Sequence, residues 1–128
     1  MLESKSLHIY ATIEFLVDTG ATNTTISDRD ATRLGIDYNI LEKLASGMLG
    51  IGGTVDTYIL KDAKLIFHKA DKKTHQETLD RICILKHATL NERILRIPSI
   101  LGRDILNKHA LIYDKRQEKA YITTEQTT

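Results

Sequence analysis

Apolar residues along this chain come in short bursts separated by polar turns, the pattern of a strand-rich domain. Residues 7–17 carry Leu7, Ile9, Tyr10, Thr12, Ile13, Phe15 and Val17, which predicts one strand or a bent pair. The run stops abruptly at Asp18-Thr19-Gly20-Ala21, where Gly20 permits a tight turn. Thr24-Thr25-Ile26 predicts another short strand, and Ser27 or Asp28 can then cap a short helix through Leu34, with Gly35 as its stop. Residues 48–67 predict a hairpin. Its tip is Gly50-Ile51-Gly52-Gly53, and its arms carry Val55, Tyr58, Leu60, Leu65, Ile66 and Phe67. A polar turn is expected over 68–76 and a strand over 79–85. Residues 97–101 lead into Gly102-Arg103-Asp104, and a second short helix starts at Asp104. Residues 110–113 and 119–122 predict a final hairpin, followed by a polar tail over 123–128. Many short strands with two short helices argue for one mainly-β, barrel-like or sandwich domain over residues 1–122.

Composition narrows the function classes. With 128 residues there is room for one domain, and 41% hydrophobic with 27% charged residues fits a globular chain. Eighteen Lys and Arg against 17 Asp and Glu leave a net charge of +1, so no nucleic-acid partner is expected. The single cysteine, Cys83, excludes an internal disulfide and most cysteine zinc sites. No stretch approaches the ~18 consecutive apolar residues of a membrane span. Met1-Leu2-Glu3-Ser4-Lys5 does not open a secretory signal. The expected compartment is therefore cytoplasmic, unless the chain is a fragment of a longer, anchored protein.

The candidate chemistry centres on Asp18-Thr19-Gly20. A D-T-G triplet alone is a weak signal, and a turn aspartate after a strand is the plain alternative. Here the triplet follows Phe15-Leu16-Val17, which predicts a carboxylate at the end of a buried strand, where ionisation is costly. Downstream come the glycine-rich hairpin tip and then Ile100-Leu101-Gly102-Arg103-Asp104. An apolar–apolar–Gly step before a short helix is a common packing device. Its occurrence after both other motifs is not.

Three motifs in this order resemble the retropepsins, the retroviral-type aspartic proteases, and their cellular and prokaryotic relatives. The resemblance spans residues from about 9 to 113. It implies a closed β-barrel half-lobe with a flap hairpin that becomes an enzyme as a homodimer. Such chemistry needs two carboxylates sharing a proton, because like charges in contact cannot both ionise. The chain has one D-T-G, so the second Asp18 must come from another copy across a two-fold axis.

The resemblance also implies roles. Asp18 of each copy activates a water that attacks the scissile carbonyl of a peptide or protein substrate. Thr19 bonds across the axis, and Gly20 lets the substrate backbone approach. Ala21, Thr22 and Asn23 line subsites, and Gly50, Ile51, Gly52 and Gly53 close over an extended peptide. Gly102 and Arg103 are structural. No metal or other cofactor is implied.

Three departures from the family pattern stand out. Thr22 and Asn23 stand where an acid usually pairs with the arginine, so Arg103 lacks its usual partner. The segment before Asp18 is short, which predicts a reduced N-terminal share of the interface. The segment after Arg103 is longer, and residues 110–122 are expected to take a larger share.

Rival readings are thinner. Five histidines invite a metal site, but His68 with His75, and Cys83 with His87, complete no four-ligand zinc pattern. The glycine tip lacks the G-K-S/T of a phosphate loop, and no G-x-S-x-G elbow exists. Asn23-Thr24-Thr25 formally matches a glycosylation acceptor, yet a glycan there would block the proposed cleft. The alternative function is an inactive dimerisation or peptide-binding module on the same fold.

Overall fold

The computed structural model describes residues 1–44, 48–50 and 53–123. The architecture is mainly β. The strands are β1 (Leu2–Ser4), β2 (Ile9–Ala11), β3 (Phe15–Val17), β4 (Thr25–Ile26), β5 (Glu42–Lys43), β6 (Met48–Gly50) and β7 (Gly53–Leu60). They continue with β8 (Ala63–His68), β9 (Thr74–Leu79), β10 (Ile82–His87), β11 (Ser99–Leu101), β12 (Ala110–Asp114) and β13 (Lys119–Thr123). Three short α-helices intervene: α1 (Asp28–Leu34), α2 (Glu92–Leu95) and α3 (Arg103–Leu106), with a 3-10 turn over Tyr38–Ile40. No helix among the described residues is long and apolar enough to cross a membrane.

Two sheets carry the core. One runs β2-β1-β8-β9, and the other runs β3-β11-β4-β10-β7-β5, with β6 also paired to β7. Neither sheet closes on itself among the described residues, where a closed barrel was expected. β12 and β13 form a separate two-stranded sheet. The central strand β10 buries Ile82, Cys83 and Ile84 in succession, with β7 and β4 paired along its edges and α1 packed against it. A strand covered on both faces needs no alternation. Leu2, Ile26, Leu60, Leu65 and Ile105 complete the buried centre. Each such side chain contributes roughly 1.5–3 kcal/mol by leaving water.

The stretch 7–17 resolves as a bent pair, β2 and β3. β1 was not anticipated. It pairs with β2 on one edge and β8 on the other, so both its edges are used within its own chain. Helix α1 ends at Gly35, whose φ of 64° places it in the left-handed region that suits glycine. Ser27 is its N-cap by position, but its hydroxyl turns to Ser99 Oγ at 3.3 Å instead of capping. The Asp28 carboxylate accepts the His87 backbone N–H at 2.8 Å and also meets His87 Nδ1. The Tyr38 hydroxyl donates to the Leu85 carbonyl at 3.0 Å.

Two boundaries differ from expectation. The expected polar turn over 68–76 is shorter, because β9 already begins at Thr74. The expected strand over 79–85 is broken at Asp80 and Arg81, between β9 and β10. The inner face of β9 carries His75 and Glu77 ahead of Leu79, with Thr74, Gln76 and Thr78 outward. Polar residues on an inward face hide a strand from hydropathy.

Candidate active site

Sheet order determines the site. β11 lies between β3 and β4, running parallel to β3 and antiparallel to β4. The chain leaving β3 must therefore step over the end of β11 to reach β4. Residues 18–24 are that step. The Asp18 N–H donates to the Leu101 carbonyl at 3.1 Å, which fixes the start of the step on β11. The Ala21 N–H closes a turn on the Asp18 carbonyl at 3.2 Å.

Gly102 sits where the step crosses. A Cβ there would lie 2.6 Å from the carbonyl carbon of Asn23, 2.7 Å from its oxygen and 3.0 Å from the Thr24 nitrogen. Those are backbone atoms with nowhere to retreat, so the position requires glycine for close approach. The following residues stitch the step down. Arg103 N–H donates to the Ala21 carbonyl at 2.8 Å, and Asp104 N–H to the Thr22 carbonyl at 3.3 Å. The Asp104 carboxylate accepts the Thr24 N–H at 2.8 Å and the Thr24 hydroxyl at 2.6 Å. Thr24 Oγ1 in turn accepts the Gly102 N–H at 3.2 Å.

Within this frame the Asp18 side chain is half-buried, and its Oδ1 accepts the Gly20 N–H at 2.8 Å. Asp18 Oδ2 has no partner among the described residues. A Cβ on Gly20 would lie 3.2 Å from Asp18 Oδ1, so glycine keeps the carboxylate uncrowded. Thr19 is exposed, and its hydroxyl has no partner among the described residues. The expectation of a buried strand before Asp18 is corrected: Leu16 is 55% and Val17 40% exposed in the single chain. β3 is an edge strand with β11 on one side only, which leaves these apolar side chains in the open.

A family model described as "gag-polyprotein putative aspartyl protease" matches residues 10–108. The chain belongs to this family of retropepsin-like aspartic proteases. Among solved structures, a retropepsin-like aspartic protease from Rickettsia conorii is similar at 21% identity, over 80% of this chain and 68% of that one, with a TM-score of 0.48. No curated protein matches the chain.

Retropepsin motifs can now be located one by one. Asp18, Thr19, Gly20, Ala21, Thr22 and Asn23 form the step, and Gly102 and Arg103 lie beneath it. Arg103 does have a partner: its Nη2 donates to the Thr22 hydroxyl at 3.0 Å. A neutral hydroxyl thus stands where the family pattern has an acid. Gly50 and Gly53 face each other at the end of the β6–β7 hairpin. Ile51 and Gly52 lie outside the described residues.

Asp104 was missed as a site residue, although its place two after Gly102, at the head of a short helix, was a readable signal. The histidine pairs drawn from spacing do not form. Cys83 is buried in β10, and His87 belongs to Asp28. The structure gathers instead His75, Glu77 and His109. His75 and Glu77 are two apart on one strand, a spacing that places both on one face.

Proposed function

We propose that the chain is one half of a homodimeric aspartic endopeptidase, hydrolysing peptide bonds through a water activated by Asp18 of each copy. The observation that carries this reading is the Asp18 turn itself. One carboxylate oxygen is oriented by the Gly20 N–H, the other is unpartnered among the described residues, and the turn is anchored through Gly102, Arg103 and Asp104. This is a preorganised but unpaired acid. It gains a proton-sharing partner only from a second Asp18.

Exposed apolar groups support the two-fold assembly. Leu16 and Val17 flank the turn, and Leu111, Tyr113 and Tyr121 are exposed on the β12–β13 hairpin at 39%, 74% and 53%. That hairpin pairs with no other strand among the described residues, and its exposed side chains are available to a second chain. β1, committed on both edges, is not an interface strand, and residues 110–122 take its share. The Thr19 hydroxyl is free to bond across the axis. The substrate lies extended, with Ala21, Thr22 and Asn23 forming subsites. The β6–β7 hairpin, with Gly50, Ile51, Gly52 and Gly53 at its end, closes over the peptide and excludes water.

Mechanistically, one Asp18 is ionised and takes a proton from water, while the other, protonated, donates to the carbonyl oxygen. The first then returns its proton to the leaving nitrogen. A mixed peptide library, cut by wild type and by Asp18→Asn across acid and neutral pH, tests this. Wild type alone should cleave, with a bell-shaped pH profile. Folded dimers that cut nothing would favour the peptide-binding module. Equal cleavage by both proteins would place the chemistry elsewhere.

A further inference from the structure

A cluster between β9 and the segment that follows α3 has no part in the chemistry above. His75 Nε2 lies 2.8 Å from Glu77 Oε1, and His109 Nε2 lies 3.0 Å from the same oxygen. The two imidazoles stand edge to face at 5.2 Å between centroids. The donor atoms of all three residues lie within 4.8 Å of one another. The His109 side chain is only 7% exposed and Glu77 13%, while His75 remains 30% exposed. Both histidines line a cavity of about 850 Å³, walled also by Phe67, Ile105, Leu111 and Ile122.

As a hydrogen-bond cluster this arrangement is incomplete. Each imidazole must donate Nε2–H to one carboxylate oxygen, while Lys108 Nζ takes the other at 3.4 Å. His109 Nδ1 is then buried with no partner among the described residues. Two imidazole nitrogens and a carboxylate oxygen converging from two directions are a donor set suited to a borderline-soft divalent ion.

We infer that His75, Glu77 and His109 form a zinc-class metal site, with water from the cavity as the fourth ligand. Ligand atoms around a tetrahedral zinc ion stand roughly 3.3 Å apart, given zinc–ligand distances near 2.0–2.1 Å. The two Glu77–His pairs have to open by a few tenths of an ångström, and the two imidazole nitrogens, within 4.8 Å of each other, to draw together by up to about 1.5 Å, which the partly exposed His75 ring supplies by rotating. The ion takes the place of the proton at each Nε2, and each neutral imidazole then carries its single proton on Nδ1. The site would fasten β9 to the segment between α3 and β12. Its role is structural, and it departs from the metal-free expectation of the sequence.

The test uses tag-free full-length chain stripped with a chelator, then titrated with Zn²⁺ or Co²⁺. One ion per chain should bind, and Co²⁺ should give the visible absorption of a tetrahedral site. Saturating Zn²⁺ should raise the thermal midpoint by about 5 °C or more. Glu77→Gln and His75→Gln should weaken binding at least ten-fold, about the smallest loss expected on removing a direct ligand. His75→Gln alters the most exposed member, so it keeps the test decisive if Glu77→Gln fails to fold. Asp18→Asn should bind as wild type does. Absence of one-to-one binding by folded wild type would overturn the site. So would folded His75→Gln binding as tightly as wild type, or loss of binding in Asp18→Asn.

Discussion

The carboxylate of Asp104 holds both the backbone N–H and the hydroxyl of Thr24, a residue 80 positions earlier in the chain. Thr24 is fully buried, so neither donor has water to fall back on. Asp104 Oδ1 also accepts the Ile105 N–H at 2.9 Å. Asp104→Asn leaves one acceptor oxygen where two are used and turns an amide donor toward Thr24. We expect a loss of about 1–3 kcal/mol in urea unfolding, with activity reduced in the same variant. Unchanged stability would show that this grip does not hold the Asp18 turn.

Two glycines of the site should behave differently. Gly102→Ala drives a methyl group against the Asn23 backbone and should cost about 1–3 kcal/mol of stability. Gly20→Ala meets only the Asp18 side chain, which can rotate away. Its stability should change by about 0.5 kcal/mol or less, while kcat/KM falls about ten-fold or more as the carboxylate is displaced. Parallel unfolding and kinetic measurements on both variants separate the two roles.

Thr19→Phe should act on assembly. The side chain is exposed at the turn, so a single folded chain tolerates the change. Analytical ultracentrifugation should show a dimer dissociation constant raised about ten-fold or more, equivalent to ~1.4 kcal/mol. Activity should recover as protein concentration rises. A full-strength, fully active dimer would remove Thr19 from the axis.

Tyr38 gives an alkaline signature. Burial pushes its hydroxyl up to about 12, reinforced by the charges of Asp28 and Tyr58. A raised value in the folded state stabilises fully below the ordinary tyrosine range and is lost as pH climbs through the folded value. The stability difference between wild type and Tyr38→Phe should therefore be constant to about pH 9 and shrink above about pH 10. Denaturant midpoints of the two proteins across pH 8–11 check this, since contributions from the other tyrosines cancel in the difference. A difference that stays constant throughout would contradict the assignment.

The site was legible in sequence because its demands are local and categorical. A turn that must not crowd a carboxylate requires Gly20, and a crossing with no room for a methyl group requires Gly102. Helix α1 was legible for the same reason, through Gly35. What escaped notice depends on neighbours that no local pattern reveals. β9 hid because His75 and Glu77 take inward positions usually given to apolar residues. β1 hid because three residues give too little pattern. Leu16 and Val17 were expected to be buried because they are apolar, yet an edge strand exposes them. The partner of Arg103 could not be found by charge, since it is the Thr22 hydroxyl.

The crossing of residues 18–24 over β11 also dictates when the protein can work. The Asp18 turn is made early in synthesis, but apart from the Cys83 N–H on the Thr24 carbonyl, the hydrogen bonds that shape it from outside come from residues 101–104. Contacts so distant in sequence form slowly and cannot form on a partial chain. A nascent chain therefore carries its acid in an unshaped loop until almost the whole domain has emerged. The topology thus supplies a delay, making emergence of residues 101–104 a precondition for the cutting proposed above.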